Sequence, residues 1–208
     1  MGYSAADAGK LADVMATASS NANTNVEMMG ETFKYVAPVI GSLGFSMEDT
    51  SVAIGLMANS GIKASQAGTS LRSILTRLAA PPDTAAVAMQ NLGISITNAD
   101  GSMKSLGEIM QILREKFSGL TEAEQAQYAK NIAGQEAMSG LLSIVNASPS
   151  DFEKLTNAVN NSSGAAEQMS KTMQDNLGGD LTALGSKFEG VQIAVYEKFE
   201  PALRDGVG

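Results

Sequence analysis

The chain has 208 residues, 44% of them apolar, and a net charge of −8, so it is long and apolar enough to bury a core. The acidic balance argues against a nucleic-acid-binding protein, which normally shows a basic face, and against docking on anionic lipid. The absence of Cys and His excludes disulfides, thiol chemistry, histidine metal ligands and His-based catalytic triads.

Short amphipathic helices are predicted along the first 60 residues. Residues 4–19 carry apolar side chains at helical spacing, and the helix that follows is expected to begin with a capping box made by Thr24 and Glu27. In such a box the hydroxyl and the carboxylate each bind a backbone amide that the helix leaves free. Pro38 is expected to kink or shorten that helix. Ser46 with Asp49 begins a third helix.

The stretch from residue 61 to 82 predicts a tight corner between two helices. Gly61 ends the first helix, and the second begins near Ser65 with an apolar stripe that includes Leu71. Small residues, Gly68 among them, allow two backbones to approach closely. A double proline then ends the second helix. The sequence indicates packing here and no reactive chemistry, with the corner formed by Gly61, Gly68, Leu71 and Pro81.

The hydrophobic period changes at residue 94. Residues 94–97 alternate apolar and polar side chains, residues 98–101 have turn composition, and residues 102–104 could form a returning strand. The fold class predicted is therefore an all-α multi-helix bundle with one small β-hairpin at about 94–104 and a long C-terminal helix.

Further helices follow this turn. Two more capping boxes are predicted, one from Ser105 with Glu108 and one from Thr121 with Glu124. A helix is expected at 135–145, and Ser148 with a proline after it begins the next. These elements complete a compact helical core domain predicted at residues 1–160.

A long helix is predicted for residues 165–205. Its apolar residues alternate spacings of four and three, which is typical of a coiled-coil seam. Glycines weaken such a helix by about 1 kcal/mol each relative to alanine, so it is expected to pack on a partner, on another copy or on the same chain. The predicted partner seam consists of Leu177, Leu181, Leu184, Phe188, Val191 and Val195.

No residue pattern predicts a catalytic, cofactor-binding or metal site. Carboxylates are the available acid–base groups, but Glu108 and Glu124 are explained by helix capping. The stretch Asn98–Ser102 resembles a calcium loop but lacks its ligand spacing and closing Glu. No apolar run approaches the roughly 20 residues of a transmembrane helix, and no signal peptide is visible.

A series of short motifs, taken in order, resembles the core region of phage tail tape measure proteins of the TP901 type. The resemblance covers about residues 4–160 and continues weakly into the long helix. One departure is the stretch Ile132–Gly134, where such proteins often carry an aromatic residue before the glycine. The motifs are Gly44–Asp49, Asn59–Arg72, Leu78–Pro81, Asn91–Ile96, Asp100–Gly101, Leu106–Met110 and Ile132–Ala137.

The resemblance implies a virion structural protein that lies in the lumen of the tail tube. Its helical length sets tail length, at about 1.5 Å per residue. The implied partners are the tail tube protein, tail assembly chaperones and tail-tip or initiator proteins, with self-association of the full-length protein and assembly in the host cytoplasm. No nucleic-acid or membrane partner is expected for this segment. Such proteins are usually far longer, so the chain is expected to be a segment of one.

Two alternatives come from other classes. Some tape measure proteins carry a peptidoglycan-cleaving module, and a helical chain without reactive residues could also be a generic partner-binding protein. The expectation from the sequence is a structural, non-enzymatic segment without cofactors.

Overall fold

The computed structural model describes residues 5–176. The chain divides into two compact units, Met1–Ala166 and Glu167–Gly208, and the second is described only as far as residue 176. Within the described residues the first unit contains nine helices, α1 to α9. Residues 165–176, which continue into the second unit, are also helical. The nine helices are α1 Ala5–Asn21, α2 Val26–Leu43, α3 Met47–Asn59, α4 Ala64–Ala79, α5 Asp83–Leu92, α6 Leu106–Ser118, α7 Glu122–Ala133, α8 Met138–Val145 and α9 Pro149–Asn160.

Helix α3 lies at the centre of the first unit. Its residues from Thr50 to Ala58 are all buried, which is the pattern of a helix surrounded by others. It packs against α1, α2, α4, α6, α8 and α9. Small side chains permit this crowding: a Cβ added at Gly55 would lie 2.5 Å from a methyl group of Leu155 on α9.

Two hydrophobic cores form around this arrangement. The first core combines α1, α2, α3 and α9 with parts of α4, α6 and α8, and consists of Val14, Ala18, Met29, Phe33, Val36, Ile40, Val52, Ala53, Ile54, Leu56, Met57, Ala67, Leu71, Leu75, Leu106, Met110, Ile144, Leu155 and Val159. The second core consists of Ile74, Leu78, Ala88, Met89, Ile94, Ile96, Ile109, Leu113, Phe117, Ala129, Ile132, Ala133, Ala137, Leu141 and Val145. Helices α4, α6 and α8 contribute to both.

The predicted β-hairpin at 94–104 is wrong. The described residues contain no strand, and the segment shows a single isolated bridge between Thr97 and Met103. The alternation that suggested a strand has another cause. Ile94 and Ile96 are buried in the second core while Ser95 faces solvent, so one side of an irregular segment is pressed against helices. The segments on either side of the turn are too short to extend this single pair into two hydrogen-bonded strands.

Helix α2 continues through Pro38, so this residue does not shorten the helix, and the expected kink stays a prediction. Proline removes one backbone donor from the helix interior. Pro38 is exposed, and so is Lys34, the residue whose carbonyl loses its partner. Water can therefore satisfy that carbonyl without ending the helix.

The C-terminal part of the predicted long helix falls largely outside the described residues. Residues 165–176 are helical, as the prediction for 165–205 requires of that part. The predicted seam from Leu177 to Val195 lies outside the described residues, and the division into domains at 1–160 and 165–205 stays a prediction.

Candidate functional site at the corner between α3 and α4

The corner begins with a left-handed glycine. Gly61 has φ +86°, a conformation that side chains disfavour. The backbone N–H of Gly61 donates to the carbonyl of Ala58 at 3.0 Å, and that of Ile62 donates to the carbonyl of Met57 at 3.0 Å. This pair of bonds is a Schellman motif, which satisfies the free carbonyls at the end of α3.

Thr32 on α2 holds the start of α4. Its hydroxyl oxygen lies 2.9 Å from the carbonyl oxygen of Met28 and 2.9 Å from that of Ala64, so its one proton is shared between them. Thr32 is fully buried. Ala64 has φ +51°, a left-handed conformation that is uncommon for a residue with a side chain. The buried hydroxyl therefore stabilises an otherwise unfavourable first residue of α4.

Gly68 brings α4 against α2. A Cβ built at Gly68 would lie 2.7 Å from the Cβ of Tyr35 and 3.0 Å from the carbonyl oxygen of Thr32. Neither atom can move far, because one is backbone and the other is attached to it. Leu71, one turn further along α4, is buried in the first core. The close approach of α2 and α4 therefore lies at Gly68, and Leu71 contributes to the core.

Pro81 follows the end of α4. The helix ends at Ala79, and Ala80 leaves the helical region with φ −134° and ψ 75°. A residue before proline is pushed out of the helical region, so this geometry follows from the sequence. Pro81 itself is exposed and has no part in the packing around Gly68.

Two arginines bind the ends of other helices, which the sequence alone did not reveal. Arg77 on α4 donates from Nε to the carbonyl of Ile132 at 2.9 Å and from Nη2 to that of Asn131 at 3.0 Å, at the C-terminal end of α7. Arg114 on α6 donates from Nη1 to the carbonyl of Ile144 at 2.8 Å, at the end of α8. A cation at a helix C-terminus also meets the negative end of the helix dipole.

Arg114 is partly enclosed. Its guanidinium lies 4.7 Å from the centre of the Phe152 ring, a cation–π contact. Desolvation by burial lowers the pKa of Arg114 from its ordinary value. The arginine remains charged, because the intrinsic pKa of this side chain is far above neutrality. As a cation it therefore ties α6 to the end of α8 and to the first turn of α9.

The helix caps at α6 and α7 have reciprocal hydrogen bonds. Glu108 accepts from the backbone N–H of Ser105 at 2.9 Å, and the N–H of Glu108 lies 3.2 Å from the Ser105 hydroxyl. Thr121 and Glu124 repeat this arrangement. The carboxylate of Glu124 accepts a hydrogen bond from the backbone N–H of Thr121 at 2.9 Å. Hydrogen bonds from the hydroxyl and then the backbone of the cap residue lower the pKa of both glutamates.

The capping box predicted from Thr24 and Glu27 is wrong. Asn25 caps α2, and its side chain accepts from the backbone N–H of Met28 at 2.8 Å. Both Thr and Asn are good N-cap residues, and here Asn25 moves the helix start one position along the chain. Glu27 then lies in the first turn, where its negative charge interacts favourably with the helix dipole. It does not form a capping box.

Among the described residues, no group of three or more acidic side chains is arranged so that it could hold a metal ion. In the loop that resembled a calcium site, Asn98 Oδ1 accepts from Nζ of Lys104 at 3.1 Å, and Asp100 Oδ1 accepts from the backbone N–H of Ser102 at 2.9 Å. These bonds lower the pKa of Asp100, with the Ser102 hydroxyl as the main cause. The loop is closed by its own side chains.

The described helices also include none that is long and apolar enough to cross a membrane.

Comparison with known proteins places the chain in a family. The family model described as phage-related minor tail protein matches residues 1–134. The tape measure protein of Pneumococcus phage Dp-1 is 44% identical over 207 residues, which is 100% of this chain and 18% of that protein. The probable tape measure protein of Escherichia phage P2 is 33% identical over 197 residues, 93% of this chain and 24% of that protein.

The chain thus spans less than a quarter of the length of either relative. No solved structure matches it. The narrower TP901-type assignment is not tested by these matches and stays a prediction. The family match covers α1 to α7 and the whole corner, and so includes in full all but the last of the motifs that carried the resemblance. The chain belongs to the family of phage-related minor tail proteins.

Proposed function

We propose that the chain is a structural segment of a tape measure protein that acts in tail assembly and in setting tail length inside the tail tube. The observation that carries this proposal is the 44% identity along the full chain to a protein named tape measure protein. The helical architecture supports it. When helices lie end to end, the length of a chain is proportional to its number of residues, at about 1.5 Å per residue.

The partners proposed are those of a tail-assembly pathway. They are the tail tube protein, tail assembly chaperones and tail-tip or initiator proteins, with self-association through the segment that carries Leu177 to Val195. The location proposed is the tail lumen in the virion and the host cytoplasm during assembly. Pull-down against purified tail tube and chaperone proteins, with light scattering for self-association, tests these partners.

Tail length in the parent phage tests the function. Removal of residues 5–166 in frame is expected to shorten tails by up to about 240 Å at 1.5 Å per residue, or to abolish tails where assembly fails. Electron microscopy of the particles measures both outcomes, and supplying the intact gene in trans is the control. Tails of unchanged number and length would contradict the proposal.

We also propose that the segment acts without catalysis. The purified chain is expected to leave the turbidity of a cell-wall suspension unchanged. A fall in turbidity would favour the peptidoglycan-cleaving alternative. Co-purification with unrelated host proteins, and with none from the tail, would favour a generic partner-binding protein.

A further inference from the structure

Asp13 on α1 binds a turn that lies more than 150 residues further along the chain. Its Oδ2 accepts from the backbone N–H of Gly164 at 2.9 Å, and its Oδ1 accepts from that of Ala166 at 2.9 Å. Both carboxylate oxygens are used. The two amides belong to the beginning of the helix at residues 165–176.

The residue directly before the helix does not supply this acceptor. The first amides of a helix have no partner within it, and a Ser, Thr, Asp or Asn directly before the helix usually binds one of them. Here that position is Gly164, which has no side chain and has φ +80°. Asp13 takes over this role from a different helix. Its two backbone hydrogen bonds lower the pKa of Asp13, so the carboxylate is charged at neutral pH and also favours the helix dipole.

Helix α1 is also attached by packing. It packs against α2, α3 and α9 through apolar side chains that include Val14 in the first core and Met15 packed against that core. Lys10 forms an ion pair with Glu48 on α3 at 2.6 Å, but its side chain is 57% exposed. Exposed ion pairs contribute little. Apolar packing thus places α1 in the unit, and the two bonds of Asp13 join it to the start of the next helix.

We propose that Asp13 is a clasp that couples the docking of α1 to the start of the helix at residue 165, so that both are held together and open together. Because both carboxylate oxygens are bound to the backbone of the turn, α1 cannot undock without releasing the start of the helix. The start of the helix likewise cannot open without releasing α1. The first helix of the unit and the point where the chain leaves it thus behave as a single element. This property belongs to the chain itself and does not depend on the proposed tail function.

Amide hydrogen exchange on the whole 208-residue chain tests the clasp. Replacement of Asp13 by Ala removes both acceptors. We expect exchange to become about fivefold faster or more both in peptides covering residues 161–168 and in those covering residues 8–21, the size expected for loss of a helix cap. Peptides from α6 and α7 are expected to keep their rates.

Two further variants make the result decisive. Asp13→Asn keeps one acceptor oxygen and should give the same pattern with smaller amplitude, which also serves if the alanine variant does not fold. Glu153→Gln changes the net charge as Asp13→Asn does, but at an exposed position on α9, and should leave both regions unchanged. Unchanged exchange at 161–168 would overturn the proposal. So would faster exchange there with α1 unaffected, because Asp13 would then be a cap and not a clasp.

Discussion

The two cores of the first unit are held together in different ways. The first core depends on positions without side chains: Gly55 lies against Leu155, and Gly68 lies against Tyr35. The second core is bordered by polar side chains that reach helix ends, of which Arg77 of α4, bound to the end of α7, is the clearest. The first is therefore expected to be sensitive to added atoms, and the second to the removal of polar groups.

The largest effect is expected from adding one methyl group to the first core. Gly68→Ala places a Cβ 2.7 Å from that of Tyr35 and 3.0 Å from a backbone oxygen, so α2 and α4 must separate. Overpacking outweighs the gain in helix propensity, and the free energy of unfolding should fall by about 2–3 kcal/mol. Urea denaturation measures the change.

Gly30→Ala is the matched control for that substitution. Gly30 lies within α2, and a Cβ there meets nothing within 4 Å. This variant should gain up to about 1 kcal/mol from helix propensity. If both variants change stability in the same direction by similar amounts, close approach at Gly68 is not what holds the first core.

A smaller effect is expected from truncation at the border of the second core. Arg77→Ala leaves the carbonyls of Asn131 and Ile132 without their donors and should cost about 1–2 kcal/mol. Arg72→Ala, an exposed arginine on the same helix, should change stability by less than about 0.5 kcal/mol. Equal losses in the two variants would show that charge on α4 matters and that the bonds to α7 do not.

The smallest effect concerns the capping boxes and pH. Glu108 and Glu124 have pKa values below the usual 4.5, so the folded-state pKa of each lies below its unfolded-state value. Each box therefore contributes stability above about pH 4.5 and loses it as pH falls through the folded-state pKa. The double variant Glu108→Gln, Glu124→Gln retains capping side chains but cannot titrate at these positions.

Urea denaturation from about pH 6 to about pH 3 should show a smaller loss of stability for this double variant than for the unmodified chain. Glu153→Gln, an exposed substitution on α9, should retain the pH dependence of the unmodified chain. An identical pH dependence in the double variant would mean that the boxes do not contribute to acid sensitivity.

Features with partners a few residues away could be predicted from the sequence. The boxes at Ser105 and Thr121 need only a glutamate three positions on, and the turn at Gly61 needs only the glycine. Asn25 shows the limit of such reasoning: two adjacent residues can each cap α2, and the sequence does not decide between them. The same holds for residues 94–97, where burial on one side produces the pattern of a strand.

Features with distant partners could not be predicted. Thr32 and Ala64 are 32 residues apart, Arg77 and Ile132 are 55 apart, and Asp13 and Ala166 are 153 apart. A lone threonine, arginine or aspartate in a helix does not indicate such a partner. A residue of the same type on an exposed polar face gives the same sequence pattern. Their roles emerge only when packing brings the two helices together.

The two cores also differ in how they are ordered along the chain. The second core uses residues from Ile74 to Val145, whereas the first runs from Val14 to Val159 and so encloses the second in sequence. During synthesis the second core has all its helices once α8 has emerged, while the first still lacks α9. Domains form as their last segment becomes available, and distant contacts form slowly. The second core is therefore the one that can fold first on the ribosome. The first core is complete only when α9 joins α1, α2 and α3.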